Sequence, residues 1–594
     1  MFPWQQARPE PSTGYGGLRV RADKLDAARA CFEANADFRR RRARNRNYYA
    51  NRQLEDEVRD PDTGRTTTER AVIAGQNRTP IANNEIGAMV RNLTGTLALN
   101  RSQPQPFPAD RDDAEAAAMM GAALKGVFHT NRMGVLEEAQ FTEAVLSGRE
   151  VYAVRYGQHW ATRKADVVID PVSPDRFFFN PDSTDPRGAD VRVVGELQDL
   201  PFADVVMAFA VDPATGAVDR AKAEGLSKAY GHGALSSYAA GDTRDGFDRA
   251  DSLAFLTPSS PETCRVVWVW EEEHRFSAFV EDGVNVGDDA LPFTDVLPGE
   301  DPFVAAETWA EQEWMARVQD YLLAEAEYEL ALAQSGGLGY VVDETGQPVP
   351  VTPPVEPARP VAVERYGPVW VGHALTPGGE VLWEGEAPWL HGEHPYVFVD
   401  VVRVDGHTWG IVEDVLDPQR MYNRINSVID FMFGVGSKGA VAYDRTMVDE
   451  NEYTDADVAR TYSSADGVIG VKPPAGKSVN DFWGQAPASA VPAWAMQWMD
   501  SYASRIQRQS GVNPAAMGEV PAGDTSGFSY QLQQIASSTN TRSLFDRHFE
   551  VRRQVALKCC QLVAQYYDEP RQLRLSARRP PVLFDPARVR DMEW

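Results

Sequence analysis

Two short motifs in this chain have residue types that bind phosphate. Residues 434–439 have the glycine spacing of a dinucleotide-binding loop, but that loop must follow a strand and open a helix, and here it follows a helix-forming segment. Residues 475–478 are similar to the end of a nucleotide-binding loop. Val471 stands where that motif requires its first glycine, and Pro473 and Pro474 lack the backbone N–H groups that cradle phosphate. The sequence therefore predicts a flexible turn at the first motif and no nucleotide site at the second.

A third motif and the many carboxylates are candidates for metal binding. His391 and His394 supply two imidazoles, but a metal site needs further convergent ligands, and no cysteine or carboxylate group nearby has that spacing. We therefore predict a loop at this motif, no cofactor, no metal and no enzymatic activity. The alternative is a magnesium-dependent nucleic-acid-processing enzyme that uses clustered Asp and Glu, which would cleave its substrate as an isolated monomer.

The composition excludes several classes of protein. With 59 basic and 86 acidic residues, the chain has a net charge of −27, whereas proteins that grip nucleic acid need Lys and Arg against its phosphates. Either a solvated acidic surface or a surface past which a polyanion slides fits this balance. A length of 594 residues predicts about three or four folded units. The four cysteines favour buried thiols, and the absence of a signal peptide or long apolar run favours cytoplasmic synthesis without a membrane segment.

One concentrated basic run lies near the N-terminus. The segment Asp23–Tyr49 is typical of a helix and contains Arg39, Arg40, Arg41 and Arg42. This run is either a solvated helix face or a contact for nucleic acid or for an acidic partner subunit.

The other elements follow from periodicity and turn residues. Asn84 is a candidate helix N-cap and Gly95 a candidate helix end. The predicted helices are 84–95, 112–130, 135–146, 307–334, 491–510 and 528–568, and the predicted strands are 150–156, 165–169 and 266–270, with a hairpin over 361–383.

The segment Gly410–Phe433 is the candidate functional helix. Pro418 is predicted to restart this helix, with Asp417 as its N-cap. One helical turn brings Asp417 near Arg420 and Gln419 near Asn423. These side chains form either an intrahelical surface network, stabilising by about 0.2–0.5 kcal/mol per pair, or contacts that fix the helix against a neighbouring subunit.

The order of several segments resembles a known family. Residues 409–427 are similar to the family's G-x-x-x-x-x-x-D-P-Q-R-x-x-N-x-x-x-S helix. The family is the podovirus-type portal, or head–tail connector, proteins of tailed double-stranded DNA bacteriophages. Further similar segments, in the same order along the chain, are residues 78–84, 93–95, 100–108, 172–174, 180–182, 506–518 and 525–527.

The resemblance implies a predominantly helical α+β, multi-domain portal fold, assembled as a ring of about twelve copies around a central channel. It implies a wing at 1–260, stem entry at 261–275, a clip-like module at 276–395, a stem or channel helix at 396–436, a wing return with tunnel loop at 437–490 and crown helices at 491–594. The Arg39–Arg42 run would face outward on the wing.

The resemblance also implies a function in genome packaging, retention and ejection at one capsid vertex of the virion, after assembly in the host cytoplasm. The implied partners are other copies of the chain, the major capsid protein, the terminase large subunit, tail adaptor proteins and the double-stranded DNA that passes through. Another head–tail structural protein, such as an adaptor, is the remaining alternative, although adaptors are usually far shorter.

Overall fold

The protein is described by a computed structural model. The described residues are 18–60, 64–76, 78–100, 103–107, 114–211, 216–231, 254–281, 291–292, 302–334, 340–342, 348–350, 352–389, 391–436, 441–448, 453–463, 469–485, 493–512, 527–567, 571–573 and 582–586.

Helices outweigh strands in this part of the chain. The helices are α1 (Ala22–Ala34), α2 (Ala36–Tyr49), α3 (Glu69–Gly75), α4 (Glu85–Leu99), α5 (Ala114–Thr130), α6 (Met133–Ser147), α7 (Phe202–Phe209), α8 (Arg220–Gly231), α9 (Pro302–Gln334), α10 (Ile411–Gly436), α11 (Asp455–Ser463), α12 (Ala493–Ser510) and α13 (Gly527–Tyr566). Single 3₁₀ turns cover Arg445–Met447 and Val479–Phe482. The predicted α+β class with a helical majority is confirmed.

The strands form two larger sheets and several two-stranded ribbons. They are β1 (Glu57–Arg59), β2 (Thr66–Thr68), β3 (Arg149–Gln158), β4 (Ala165–Pro171), β5 (Phe177–Phe179), β6 (Val193–Pro201), β7 (Thr263–Glu281), β8 (Leu291–Pro292), β9 (Tyr340–Val342), β10 (Pro348–Pro350), β11 (Val361–Leu375), β12 (Val381–Glu386), β13 (Tyr396–Asp400), β14 (Val402–Val404), β15 (His407–Trp409), β16 (Val441–Tyr443), β17 (Trp483–Gln485), β18 (Arg571–Leu573) and β19 (Val582–Phe584).

The first large sheet has the order β12-β11-β7-β6-β5, with β8 on the far part of β7. β7 pairs with β11 from Val361 opposite Glu281 to Leu375 opposite Val267, which makes a long ribbon. The N-terminal part of α9 packs on the far end of this ribbon through Ala306. The ribbon crosses the predicted boundary at residue 276, and the domain names stay predictions.

The second sheet, β13-β3-β4, lies against α5, α6 and α13 and shares their core. Cys559 and Cys560 on α13 are buried free thiols, which confirms the prediction for these two residues. A separate core joins α4, α6, α10 and α12 through side chains such as Val412, Val415 and Ile506. These packed cores hold α10 against the loops that precede α4.

Several predicted helix boundaries are wrong, among them the start of α9, which is Pro302 and not residue 307. The segment Asp23–Tyr49 is two helices, since Asn35 separates α1 from α2 and its side-chain amide donates to the Cys31 carbonyl at 3.1 Å. Gly95 does not end α4, which runs on to Leu99 because Leu97 is buried in the core. Pro418 does not restart a helix.

α10 is continuous through Pro418. The proline removes one backbone hydrogen bond. Val415, Leu416 and Gln419 on either side of it are buried, and their packing keeps the helix in one piece. Asp417, at 92% side-chain exposure, therefore lies within the helix and is not its N-cap.

Candidate functional site

A row of polar side chains on one face of α10 binds the extended backbone before α4. Gln419 Nε2 donates to the Asn83 carbonyl at 2.6 Å, and Asn423 Oδ1 accepts from the Asn83 N–H at 3.1 Å. One turn further, Ser427 Oγ accepts from the Ile81 N–H at 3.3 Å. Positions four apart share a helix face, so this hydrogen-bond ladder holds residues 81–83 along α10.

Side chains from the turn after α2 complete the ladder. Asn423 Nδ2 donates to Gln53 Oε1 at 2.5 Å, and Gln53 Nε2 donates to Asn84 Oδ1 at 3.1 Å. Asn84 Oδ1 also accepts from the Gly87 N–H at 2.8 Å, which confirms Asn84 as the N-cap of α4. Gln419, Asn423 and Gln53 are buried, so these bonds pair amide groups that water does not reach, although Gln419 Oε1 has no partner.

Arg420 faces the other side of the same turn and bonds to its own chain. Its Nε donates to the Tyr48 hydroxyl at 2.6 Å, and its Nη2 lies 3.0 Å from Asp56 Oδ2. Burial raises the pKa of the Tyr48 phenol, and the bond from Arg420 opposes that shift. Asp417 lies 3.8 Å from Arg420 and is almost fully exposed.

The predicted proximity of Gln419 to Asn423 and of Asp417 to Arg420 is present, at 3.1 Å and 3.8 Å. Three of these four side chains bind other segments of the same chain, and a contact with a neighbouring subunit stays a prediction.

The arginine run on α2 is divided among different surroundings. Arg42 is buried at 4% side-chain exposure and pairs with Glu143 at 2.7 Å and Asp175 at 3.2 Å. The Arg39 guanidinium lies over the Phe32 ring at 3.6 Å. Arg41 pairs with Asp37 at 2.9 Å, and Arg40 is exposed. The run is therefore not a single basic surface, and its partner-contact role stays a prediction.

A buried ion pair and a buried hydrogen bond between distant segments were not predicted from the sequence. Arg149 pairs with Asp400 at 2.6 Å, and the His548 imidazole lies 2.9 Å from a carboxylate oxygen of Glu150. The partners are 251 and 398 residues apart, and no local pattern marks such pairs. They tie β13 and α13 to β3.

The described residues of the remaining motifs bind their own chain. Lys477 pairs with Asp444. His391 and His394 each accept a backbone N–H at Nδ1, and burial lowers the pKa of both imidazoles. Within the described ranges no group of three His, Cys, Asp or Glu side chains is placed to hold a metal ion. Residues 437–439 of the glycine motif lie outside the described residues.

An apolar stripe, defined as Met315, Leu322, Leu323 and Leu330, follows the outer face of α9. Each of these side chains is more than half exposed. At 3.6 residues per turn they fall on a face turned away from the half-buried aromatic residues Trp314, Tyr321 and Tyr328. A second exposed apolar group, Trp494, Met496 and Trp498, lies at the start of α12.

These features first define a class of protein. It is a large α+β structural subunit in which polar side chains of α10 bind other segments of the same chain, while α9 and α12 expose apolar side chains. The family model described as Phage P22-like portal protein matches residues 25–579. The match spans most of the chain, so the chain belongs to this family of phage portal proteins, the head–tail connectors of DNA packaging. No curated protein matches the chain. No described helix has the length and hydropathy to cross a membrane.

Membership confirms the resemblance predicted from the order of the segments. The ladder joins two of the segments that are similar to the family. Residues 78–84 and residues 409–427 bind each other directly. The motif side chains Gln419, Asn423 and Ser427 form that contact with the backbone of Asn83 and Ile81.

Proposed function

We propose that this portal protein assembles as a closed ring of about twelve copies at one capsid vertex of the virion. Double-stranded DNA passes through its channel during packaging and ejection. The ring docks the terminase large subunit first and tail adaptor proteins later, is seated in the major capsid protein and is assembled in the host cytoplasm. It acts as a conduit without catalysis of its own, and a separate motor supplies the energy.

The observation that carries the ring proposal is the apolar stripe on α9. Met315, Leu322, Leu323 and Leu330 lie on a helix of 33 residues, and the buried ones among its described side chains, Ala305, Ala306 and Ala310, are all near its N-terminal end. A monomer leaves this stripe in water, which costs about 25 cal/mol for each Å² of apolar surface. A neighbouring copy would cover it.

The negative charge of α9 favours an interface in which α9 contacts a different surface of the next copy and not that copy's own α9. The helix has seven acidic residues and one arginine, Arg317. Two such helices side by side would repel each other, whereas a head-to-tail contact joins two unlike surfaces and closes into a ring.

Native mass spectrometry of the full-length protein at micromolar concentration tests the ring. We expect a single large closed oligomer in the wild type. The double variant Leu322→Glu/Leu330→Glu shifts the population to monomers, because it places two carboxylates in the stripe.

The matched control is Ala324→Glu, which adds a carboxylate at an exposed position of α9 outside the stripe. We expect this control to assemble like the wild type. Monomers or dimers alone in the wild type, across salt concentrations, would contradict the ring.

We propose that the channel surface is acidic or neutral, so that DNA slides without being held. The chain's net charge of −27 supports this, since strong phosphate contacts release counterions and bind DNA with a steep salt dependence. A mobility-shift assay should show weak duplex binding at physiological salt. Tight, salt-sensitive binding that is lost in Arg40→Gln/Arg41→Gln would contradict both the conduit and the outward-facing basic run.

A further inference from the structure

A cavity of about 170 Å³ lies where the two large sheets meet. Indole rings from β7, β12 and the following loop form much of its wall: Trp268, Trp270, Trp383 and Trp389. Trp383 has its ring centroid 5.9 Å from those of both Trp268 and Trp270, and Trp270 lies 5.3 Å from Trp389. The rings therefore make one continuous aromatic surface around a space the size of a single long side chain.

A buried carboxylate also lines this aromatic cavity. Glu196 is 8% exposed, and one of its oxygens accepts from Gln198 Nε2 at 2.6 Å. Gln198 in turn accepts from the Trp268 indole N–H at 3.0 Å, which fixes the orientation of its amide. Tyr396 also bonds to Glu196. Gln198 and Tyr396 carry no charge, so these hydrogen bonds do not neutralise the carboxylate.

The charged groups at the cavity leave an excess of negative charge. Arg155 from β3 pairs with Asp170 from β4, with Nη2 at 2.6 Å from the carboxylate, and both side chains are partly exposed at the cavity edge. With Glu196 ionised, two carboxylates face one guanidinium. Burial raises the pKa of Glu196 to about 7, and the positive charge of Arg155 opposes this shift only in part.

From this geometry we propose that the cavity binds the side-chain cation of a lysine or arginine presented by a partner polypeptide. Indole faces attract cations, and the buried carboxylate supplies the opposite charge at the wall. Trp268 and Trp383 are half-buried and Arg155 is about half exposed, so a side chain can enter from the surface. The volume admits one side chain and excludes a folded element. This site is independent of the proposed ring.

Three small probes test the site on the full-length protein: the Nα-acetyl methylamides of lysine, arginine and norleucine. Saturation-transfer NMR and tryptophan fluorescence report binding, since four indoles line the cavity. We expect saturable binding of one or both cationic probes and none of norleucine, which has a similar shape and no charge. The lysine and arginine arms show which cation is preferred.

The variants Glu196→Gln and Trp383→Leu separate the carboxylate from the aromatic wall. Each should weaken the preferred cation about tenfold, the effect of roughly 1.4 kcal/mol. In the wild type, affinity should rise between pH 6 and 8 as Glu196 ionises. The raised pKa values of Arg155 and Tyr396 keep the guanidinium charged and the phenol neutral in this window. Glu196→Gln should abolish this pH dependence.

Equal binding of norleucine, wild-type affinity in Glu196→Gln, or no saturable signal from either cationic probe would overturn the proposal. Each variant must first give a cooperative unfolding transition and the circular dichroism spectrum of the wild type, and Glu196→Gln preserves side-chain shape for that purpose. If Trp383→Leu fails to fold, the pH profile of the wild type still decides the role of Glu196.

Discussion

Helices α9 and α10 differ in how much of their surface contacts the rest of the subunit. α10 buries apolar residues on one side and binds its own chain through Gln419, Asn423 and Ser427 on another. The buried ones among the described side chains of α9 lie near its N-terminal end, and the apolar stripe further along the helix is in solvent. The sequence analysis proposed α10 as the helix that meets neighbouring subunits. The comparison indicates that α10 stabilises the subunit and that α9 has the surface free to join subunits.

The largest expected effect comes from breaking the ladder. Asn423→Leu removes the acceptor of the Asn83 N–H and leaves the side-chain oxygen of buried Gln53 without its donor. It should lower the free energy of unfolding by about 3 kcal/mol, since a lost hydrogen bond costs about 1 kcal/mol and an orphaned buried group about 1–3 kcal/mol. Denaturant unfolding under dissociating conditions measures this loss. Arg424→Ala, at an exposed position of the same helix, is the control and should stay within about 0.5 kcal/mol of the wild type.

The ladder is built from neutral amides, whereas the junction of the two sheets contains a titrating carboxylate. Burial raises the pKa of Glu196 to about 7 from 4.5, so the folded protein binds a proton that the unfolded chain releases. The stabilisation from this group is therefore fully present below pH 4.5 and is lost as the pH rises through about 7, by roughly 3 kcal/mol. Melting curves of the wild type and Glu196→Gln between pH 5 and 8 test this, and parallel curves would contradict it.

Arg420 separates a stabilising role from an assembly role. Arg420→Ala removes its bonds to Tyr48 and Asp56 and should lower the unfolding free energy by about 1–2 kcal/mol. Tyr48→Phe removes one of the same bonds and serves as the control. If Arg420→Ala impairs ring assembly more than its loss of stability explains, that result would support the proposed inter-subunit contact of Asp417, Gln419, Arg420 and Asn423. Intact rings with normal packaging would remove it.

The smallest expected effect on stability belongs to the stripe. Leu322 and Leu330 contact little of their own subunit, so Leu322→Glu/Leu330→Glu should change the unfolding free energy of the monomer by less than about 0.5 kcal/mol. The same variant is expected to lose the oligomer. A large loss of monomer stability would show that the stripe packs within the subunit.

Sequence reasoning succeeded where one local signal decided the outcome. No glycine or proline interrupts 528–568, and α13 is a single helix of 40 residues. The Asn84 cap and the β11–β12 hairpin also depend on adjacent residues. It failed where tertiary packing outweighed a local signal, as at Gly95 and Pro418.

The end of β7 was also predicted wrongly, because a distant residue pairs with its glutamates. The predicted strand ended at Trp270 because three glutamates follow it. In the structure Lys24 from α1 pairs with Glu271 at 2.6 Å and Glu273 at 2.8 Å, and β7 continues to Glu281. The partner lies far away in the sequence, as do the partners that form the ladder and the aromatic cavity. The motif residues were recognised, but their mutual contact was not predictable from spacing.

Radical footprinting of the dissociated and the assembled protein tests the central contrast between α9 and α10 most directly. The account predicts that labelling of Met315, Leu322 and Leu330 falls about tenfold on assembly, whereas Val415 and Leu416 on α10 are protected equally in both states. Unchanged labelling of the stripe, together with new protection of exposed α10 positions such as Arg424, would show that the helices have been assigned the wrong roles.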